Sequence, residues 1–386
     1  MTTKKLNVLM IGFYPFEQGK VVGGTQAVVS ALAPALAQEE RVAHLTVLSF
    51  HHGEVASHNK QINEKFQVRY VPGQKRLSVL TRFFIEVART RRIIAEIKPD
   101  IVHGHGLGWS GDIATQAWPR AVVTVHGIIQ QEARLNSKGK IRDRLRVPMI
   151  EHMASQVLKR ARVVISISSY SSRVLDGKIR GEHVQIPNPI DLEFFREPNG
   201  EIASKRVVFA GVLRPRKNVE GILRAFAIAH KRHPDARLSI AGPSPDPVYA
   251  QKIRDMVQSL QIADVVDFIG YVENDRLAQE IYDSRALVLF SHEETLPTII
   301  AQALAMGKPA LSSNVGGVAD MITDGENGFL VEPSDEAAFA DRLDSLFSSA
   351  ALCATMGLRG REIALRNFTP AAVARQTVDA YQHALR

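Results

Sequence analysis

The sequence is poor in cysteine, and Cys353 is the one such residue among 386. This scarcity excludes a disulfide framework and a metal site built from several thiolates. Long apolar runs are missing as well, since none approaches the roughly 20 residues that a membrane-spanning helix needs. Lys4 and Lys5 precede the apolar run 6–13 as in a signal peptide, but no small-x-small cleavage site follows, which favours a buried first strand. We therefore expect a protein of the reducing cytoplasm, with peripheral contact at the inner face of the membrane left open.

Other absences concern ions and macromolecular partners. The chain has no short internal repeat and no low-complexity tract, which argues against a solenoid or a disordered chain. It has no motif that interleaves basic and aromatic residues as nucleic-acid-binding modules do, so no nucleic-acid partner is expected. It also has no Asp-x-Asp pair, and other candidate ligands for a divalent ion are sparse. We expect neither a metal nor a resident cofactor.

The charge is unevenly distributed along the chain. Residues 1–190 contain 27 Lys and Arg against 14 Asp and Glu, a net charge of +13, which leaves −5 of the total of +8 for residues 191–386. A basic half indicates an anionic partner, such as a phospholipid surface or a lipid-linked acceptor. A surface that is charged only for solubility fits the same numbers, so both interpretations stay open.

Length and hydrophobic periodicity predict two similar α/β domains. A chain of 386 residues with 45% hydrophobic residues is globular and favours two domains over one. Short apolar runs alternate with segments of helical period, which is typical of parallel, doubly wound sheets. In the first half the predicted strands are 6–11, 45–50, 66–71, 101–103, 121–125 and 163–167, and the clearest helices are 25–38 and 77–97. In the second half the predicted strands are 207–209, 238–241, 266–269, 286–290, 309–312 and 328–331.

Proline and glycine punctuate the junction between the two series and indicate an interdomain connection. We predict an N-terminal Rossmann-like domain over 1–187, a linker over 188–204 and a C-terminal Rossmann-like domain over 205–368. A final helix within 369–386 is a candidate for packing back on the N-terminal domain. Because ligands of doubly wound sheets bind outside the carboxyl ends of the strands, we expect the two domains to face a cleft.

The most informative stretch covers residues 291–309 and follows a predicted strand. Its sequence, SHEETLPTIIAQALAMGKP, predicts a short helix that begins near Pro297 and ends at Gly307. Free N–H groups and the macrodipole make such a helix start suitable for an anion such as a diphosphate. Glu294 lies just before it and can accept hydrogen bonds from sugar hydroxyls, while the amide of Gln302 can bond a ribose. An ordinary turn with surface glutamates is the alternative.

A basic loop follows the first predicted strand of the second half, in the sequence VVFAGVLRPRKN over 207–218. Gly211 permits a sharp turn, and Arg214, Arg216 and Lys217 supply cations that can neutralise the charge of a departing diphosphate. Such a cluster is often only a solvated surface, but its position after a strand end favours a binding role.

Glycine and histidine follow predicted strands in the first half. Gly24, in a Gly-Gly pair, opens a predicted helix where a ligand can approach the backbone closely. Two strands end in histidine and then glycine, so we expect His103, His105 and His126 to face the ligand. A neutral imidazole there can donate to a sugar hydroxyl or shield positive charge at an anomeric carbon. Strand-end histidines that are satisfied by the backbone are the alternative.

In their order and spacing these motifs resemble glycosyltransferase family 4, which has the GT-B architecture, and the likeness extends over nearly the whole chain. The stretch around Glu294 resembles the family's donor site, in which two glutamates separated by seven residues serve the donor sugar and the ribose. Glu294 matches the first glutamate, Lys217 the lysine of the diphosphate loop, and His126 the histidine beside the donor sugar.

Three positions depart from the family pattern. Gln302 stands where the family has its second glutamate, and an amide keeps one acceptor oxygen while adding donors. Pro297 stands where glycine is common and removes one backbone N–H from the phosphate cradle. Val212 replaces an arginine, for which Arg214 is expected to compensate.

The resemblance implies a retaining, metal-independent glycosyltransferase that moves a sugar from a nucleotide diphosphate sugar to the hydroxyl of a glycan, a lipid-linked acceptor or a small molecule. A UDP-sugar is the expected donor and a GDP-sugar the alternative. The expected catalytic residues are His126, Glu294 and Lys217, and the expected acceptor-side residues are His103, His105 and His126. The expected donor-binding residues are Gly24, Gly211, Arg214, Lys217, Gly270, Tyr271, Val272, Glu294, Leu296, Thr298, Ile299 and Gln302.

Two rival functions stay open. Some nucleotide-sugar epimerases resemble this architecture, and the changes at Gln302 and Val212 are compatible with an inactive nucleotide-sugar-binding protein. A basic segment, Arg134–Arg146, follows the His126 loop, where the family has its acceptor side. It is suited either to an anionic acceptor or membrane surface or to a solvated charged helix.

Overall fold

The computed structural model describes residues 4–16, 23–51, 57–73, 82–128 and 141–386. The chain divides into two compact units, one formed by Met1–Pro189 with Pro370–Arg386 and the other by Ile190–Thr369. Most of the basic segment, residues 134–140, lies outside the described residues, as do the side chains of Arg142 and Arg144. Among the helices that the structure describes, none combines the length and the apolar character that crossing a membrane requires.

The first unit is a largely parallel sheet with helices on its faces. Its strands are β1 (Leu6–Ile11), β2 (Val42–His51), β3 (His58–Asn63), β4 (Phe66–Pro72), β5 (Ile101–His105), β6 (Val122–Val125), β7 (Val163–Ser166) and β8 (Glu182–Gln185). Its helices include α1 (Gly24–Gln38), α2 (Phe84–Ile97), α3 (Trp109–Ala117), α4 (Ile141–Arg160) and α5 (Ser169–Leu175). The sheet order is β3-β4-β2-β1-β5-β6-β7-β8, and β3 at the edge is antiparallel to β4.

The second unit repeats this design with a smaller sheet. Its strands are β9 (Arg206–Ala210), β10 (Arg237–Ala241), β11 (Val266–Gly270), β12 (Ala286–Leu289), β13 (Ala310–Ser313) and β14 (Gly328–Val331), in the order β11-β10-β9-β12-β13-β14. All its pairings are parallel. Its helices are α6 (Val219–His230), α7 (Pro247–Ser259), α8 (Asn274–Tyr282), α9 (Thr298–Ala305), α10 (Glu336–Ser348) and α11 (Ala350–Asn367).

Buried β-branched residues explain why the central strands form. β6 reads Val-Val-Thr-Val and β7 reads Val-Val-Ile-Ser, and all eight residues are buried. Strands that are covered on both faces read as continuous apolar runs, because helices pack on either side of a parallel sheet. The two doubly wound parallel sheets confirm the predicted fold class.

Two strands escaped prediction because they are polar. All six residues of β3 are exposed, and β8 alternates between exposed and partly buried positions. The helix predicted over 77–97 begins at Phe84 in the structure, and residues 77–81 of that prediction lie outside the described residues.

Each sheet has one position at which the strand order reverses. In the first sheet the chain proceeds outward from β1 to one side and from β5 to the other, so the reversal lies between β1 and β5. In the second sheet it lies between β9 and β12. Ligands of open α/β sheets bind outside the carboxyl ends of the strands at such switch points. We therefore expect a ligand site in the loops that follow β1, β5, β9 and β12.

The segment expected to be a linker is built into the second unit from Ile190 onward. Phe194 is completely buried, Asp191 Oδ2 accepts a hydrogen bond of 3.0 Å from Asn274 Nδ2, and the carbonyl of Ile202 accepts from Arg285 Nη2 at 2.7 Å. The last helix, α12 (Pro370–Leu385), belongs to the first unit, where it packs against α1 and β7.

His103 joins α12 to the first sheet. Its ring is completely buried, with Nδ1 2.9 Å from Tyr381 Oη on α12 and Nε2 2.8 Å from Thr124 Oγ1 on β6. Both ring nitrogens are therefore used inside the unit, so the prediction of a ligand-facing imidazole at His103 is wrong. Burial lowers the pKa of His103 to about 3, because a desolvated imidazolium is disfavoured.

This buried imidazole predicts a pH-dependent stability. His103 stays neutral in the folded chain, whereas its pKa of 6.5 in the unfolded chain lets it bind a proton as the pH falls. The free energy of unfolding should therefore decrease below pH 6.5, with a slope of about 1.4 kcal/mol per pH unit for each such proton. His103→Gln removes one titrating group, so its slope near pH 5, measured by urea unfolding, should be shallower by about that amount.

The matched control is His152→Gln, which changes an exposed histidine on α4 and should keep the slope of the natural chain. Equal slopes for His103→Gln and the natural chain would contradict this account of His103.

Candidate functional site

An ion pair joins the two loops at the switch point of the second sheet. Lys217 lies in the loop after β9 and Glu294 in the loop after β12, and these neighbouring strands run parallel. Lys217 Nζ donates to Glu294 Oε1 at 2.5 Å, and Ser291 Oγ donates to the same oxygen at 2.7 Å. The Glu294 and Lys217 side chains retain only 7% and 14% of their exposure. Two of the predicted catalytic residues are thus in direct contact.

Arg216 adds a second connection between the same loops. Its Nη1 donates to the carbonyl of Glu293 at 2.7 Å and lies 3.5 Å from Glu294 Oε2, while its own carbonyl accepts from the N–H of His292 at 2.9 Å. Among the described residues, Glu294 Oε1 therefore has two close donors, whereas Oε2 has only the more distant guanidinium. Arg216 keeps 40% of its side-chain exposure, and Oε2 is the less occupied of the two carboxylate oxygens.

A glycine after β13 fits against the backbone of Glu294. A Cβ at Gly316 would lie 1.5 Å from the Glu294 carbonyl oxygen, and the residue has φ +59°, a left-handed conformation. Ser313, the last residue of β13, donates from its Oγ to the carbonyl of Ser291 at 2.5 Å. The end of β13 and the loop after it thus pack against the Glu294 loop. Only glycine at position 316 leaves enough space for this contact.

Two helix starts point to the same strand ends. α9 begins at Thr298 after Pro297, and no side chain caps it, so its first N–H groups are available to an anion. Leu296 and Ile299 are buried, and Gln302 is half-buried. α6 begins after the basic loop, with Asn218 Oδ1 accepting from Gly221 N–H at 3.1 Å.

The remaining predicted donor residues of the second unit lie at the ends of β9 and β11. Gly211 is half-buried, and Arg214 is exposed and has no side-chain partner among the described residues. Gly270 has φ +75°, and it is followed by Tyr271, which is 55% exposed, and by the half-buried Val272. In the first unit Gly24 opens α1 and is exposed, and no atom of the described residues lies within 4 Å of its Cβ position.

A row of polar side chains lies at the ends of β5 and β6 in the first unit. His105 Nδ1 is 2.9 Å from His126 Nε2, and His126 Nδ1 is 2.9 Å from Asn188 Oδ1. Both ring nitrogens of His126 therefore have partners within the unit. Burial lowers the pKa of His126 to about 4 and that of His105 well below 6.5, so both rings are neutral near pH 7.

Three residues of these sites were not singled out from the sequence. Ser291 and Gly316 position Glu294, and Asn188 holds His126. Asn188 lies between Pro187 and Pro189, and the serine lies three residues before the glutamate, but neither spacing by itself indicates a contact. In the parts of the chain that the structure describes, no three His, Cys, Asp or Glu side chains cluster as metal ligands would.

The contact between Gly316 and Glu294 predicts a large effect of one added methyl group. Gly316→Ala places a Cβ inside the Glu294 carbonyl and should lower the free energy of unfolding by roughly 1–3 kcal/mol beyond the cost of the left-handed conformation. Gly325→Ala is the matched control, because Gly325 also has a positive φ of 77° but nothing within 4 Å of its Cβ position. The two variants are compared by urea unfolding, and equal losses would show that the Glu294 carbonyl does not limit this position.

Both halves of the chain match glycosyltransferase family models. Residues 22–194 match the family described as Glycosyltransferase Family 4, and residues 192–363 match the family described as Glycosyl transferases group 1. The chain is also similar to the D-inositol 3-phosphate glycosyltransferase of Streptomyces avermitilis, with 30% identity over 194 residues, 46% of this chain and 42% of that protein. Such matches span about half, or less, of the curated relatives' own lengths.

Solved structures share the fold along almost the full length. Sucrose-phosphate synthase from Thermosynechococcus elongatus is similar with a TM-score of 0.80 at 21% identity, over 98% of both chains. HepE from Anabaena, solved in complex with UDP and glucose, gives a TM-score of 0.72 at 19% identity, over 98% of this chain and 99% of that one. The chain thus has the GT-B fold of these structures, and its two halves match in order the models of Glycosyltransferase Family 4 and Glycosyl transferases group 1.

Proposed function

We propose that the protein is a retaining, metal-independent glycosyltransferase that moves a sugar from a nucleotide diphosphate sugar to an acceptor hydroxyl. The observation that carries this proposal is the contact between Lys217 and Glu294 at the switch point of the second sheet. A cation and a carboxylate at that position suit the two ends of one ligand, a diphosphate and the sugar attached to it.

The leaving diphosphate would be stabilised by three groups of the second unit. Lys217 supplies one positive charge, the unpartnered guanidinium of Arg214 a second, and the uncapped start of α9 at Thr298 supplies backbone N–H groups. These groups lie on loops that follow β9 and β12. Because the charge on the diphosphate grows as the glycosidic bond breaks, donors held in place beforehand lower the barrier.

Glu294 is proposed to orient the donor sugar through one carboxylate oxygen. Its Oε1 already accepts from Lys217 and Ser291, so the less occupied Oε2 is the better acceptor for a sugar hydroxyl. The hydrogen bond from Lys217 also holds the carboxylate in one rotamer. In the transfer itself, the bond from the anomeric carbon to the phosphate oxygen breaks, and the acceptor oxygen bonds that carbon on the same face while its proton passes to the leaving phosphate oxygen.

The nucleoside is proposed to lie between α9 and the end of β11. The amide of Gln302 is half-buried on α9 and suits the ribose, while Gly270, Tyr271 and Val272 suit the base. The complex of the similar HepE structure contains UDP, which supports a UDP-sugar over a GDP-sugar as donor. Since the cations of the basic loop can neutralise the diphosphate, no divalent ion is needed in this scheme.

The first unit is proposed to bind the acceptor. Its basic half suits an anionic or lipid-linked acceptor, or contact with an anionic membrane surface. His126 is the proposed residue beside the reacting sugar. His105 is proposed to contact the acceptor, and Gly24 is proposed to contact the donor. His103 contributes packing, because both of its nitrogens are occupied in the core.

Loss of either member of the ion pair should abolish transfer. Lys217→Ala and Glu294→Gln should each lower kcat/KM for sugar transfer at least about 100-fold, the scale of a lost electrostatic contact in a transition state. Lys205→Ala is the matched control, because it breaks another lysine–carboxylate pair of the same unit, the exposed contact with Asp235 at 2.9 Å. Full activity in the Lys217 or Glu294 variant would refute the assignment.

Donor binding should appear as a gain in thermal stability. A UDP-sugar at 100 times its Kd should stabilise the folded state by about 2.7 kcal/mol, whereas ADP- and GDP-sugars at that concentration should have smaller effects. The midpoint of unfolding is followed with each donor, with and without EDTA, and EDTA should change neither the shift nor the transfer rate.

The same samples separate the rival functions. Conversion of the donor sugar without any acceptor would indicate an epimerase. Binding without turnover on a broad acceptor panel would indicate an inactive binding protein, to which the changes at Gln302 and Val212 would then be attributed.

A further inference from the structure

Three side chains of the first unit form a continuous hydrogen-bonded row. Asn188, His126 and His105 are linked by contacts of 2.9 Å each, and the planes of the two imidazoles are nearly parallel, at an angle of 8°. Asn188 and His105 are 7% and 3% exposed. At the far end of the row, His105 Nε2 is buried and has no partner among the described residues.

The position of each proton follows from the first acceptor in the row. Asn188 Oδ1 can only accept, so the proton of the neutral His126 ring is on Nδ1. His126 Nε2 then carries a lone pair and accepts from Nδ1–H of His105. His105 Nε2 is in turn a bare lone pair, so all donors in the row point toward Asn188.

The reverse direction is less favourable. If the Asn188 amide were turned so that its nitrogen faced His126, the proton of His126 would be on Nε2 and that of His105 also on Nε2. The row would then end in a buried N–H without an acceptor. Buried N–H groups without partners are rarer in native proteins than under-satisfied acceptors. The two directions therefore differ in a measurable quantity, the nitrogen of His126 that is protonated.

We propose that Asn188 and His105 are positioning residues that hold His126 as the Nδ1–H tautomer, so that this site offers a lone pair to a substrate hydroxyl. The inference rests on the proposed function, in which His126 lies beside the reacting sugar. A hydroxyl that donates to His126 Nε2 replaces the N–H of His105 as donor, and the oxygen of the same hydroxyl can accept from that displaced N–H. The site thus selects a hydroxyl hydrogen and disfavours a carboxylate or phosphate oxygen, which would meet a lone pair.

The neutral state of both rings supports this specificity. Burial lowers the pKa values of His105 and His126, so neither ring gains the second N–H that would attract an anion near pH 7. The role differs from the one expected from the sequence, in which the imidazole donates to a sugar hydroxyl.

Long-range proton–nitrogen NMR of the full chain with nitrogen-15 histidine tests the assignment. His126 should show a protonated Nδ1 and a bare Nε2, and its signals are identified with His126→Gln. In Asn188→Leu the two tautomers should interconvert, whereas Asn188→Asp should keep the Nδ1–H form because a carboxylate accepts at the same position. His183, whose Nε2 lies 2.9 Å from Ser166 Oγ in the same unit, is the internal control and should not change.

A proton on Nε2 of His126 in the natural chain overturns the proposal, and so does an unchanged tautomer in Asn188→Leu. If Asn188→Leu does not fold, Asn188→Asp still tests the proposal. Loss of the Nδ1–H tautomer of His126 in Asn188→Asp would contradict the proposal.

Transfer kinetics separate this inference from the function on which it rests. Asn188→Leu should lower kcat/KM by about tenfold, the size of one lost hydrogen bond, while His183→Gln should leave it unchanged. His105→Asn, whose amide can donate near the position of Nδ1, should recover activity that His105→Leu loses. If Asn188→Leu shows a mixture of His126 tautomers but keeps the kcat/KM of the natural chain, only the positioning role is overturned. A natural chain that has the fixed tautomer but transfers no sugar to any acceptor contradicts only the proposed function.

Discussion

The ion pair between Lys217 and Glu294 is the constraint around which the strand ends of the second unit are arranged. Two charges with little solvent around them lose hydration, and their attraction roughly offsets that loss, so a buried pair contributes little net stability. Removing one partner leaves an uncompensated charge and is far more costly. The pair therefore makes the two loops depend on each other, and stability alone does not explain why it is there.

The surroundings of this pair keep the carboxylate in one orientation. Ser291 shares the oxygen that Lys217 uses, and Arg216 fastens the backbone beside it. Gly316 lets the next loop lie directly against the Glu294 carbonyl. Because Oε1 is held by two donors and Oε2 is less occupied, the free lone pairs of the carboxylate are fixed in one direction. Such preorganisation is what a site needs if it is to orient a ligand without rearranging during the reaction.

Much of the fold could be predicted from the sequence, because central strands and helices have local signatures. β1 occupies 6–11 as its largely apolar run indicates, and β3 was missed because a polar edge strand has no such pattern. Glu294 and Lys217 could be chosen by their positions after strands, although they are 77 residues apart. Ser291, Gly316 and Asn188 could not, since a serine, a glycine and an asparagine have common local roles and their partners become neighbours only in the folded chain.

His103 illustrates a different limit of sequence reasoning. His103 and His105 are both on β5. Because successive side chains of a strand point to opposite faces, these two residues, which are two positions apart, lie on the same side of the sheet. What distinguishes them is α12, whose Tyr381 occupies one nitrogen of His103. That helix comes 278 residues later in the chain, and no pattern around His103 reveals it.

Net charge proves to be a poor guide to the chemistry of either site. Residues 191–386 carry a net charge of −5, but the loop after β9 concentrates cations at the strand ends. Residues 1–190 carry +13, but the strand ends of β5 and β6 hold a neutral row of two imidazoles and an amide. Electrostatic attraction over long distances depends on the total charge, whereas recognition depends on the few groups that a ligand touches. A basic half that attracts an anionic acceptor is therefore compatible with an uncharged group that receives its hydroxyl.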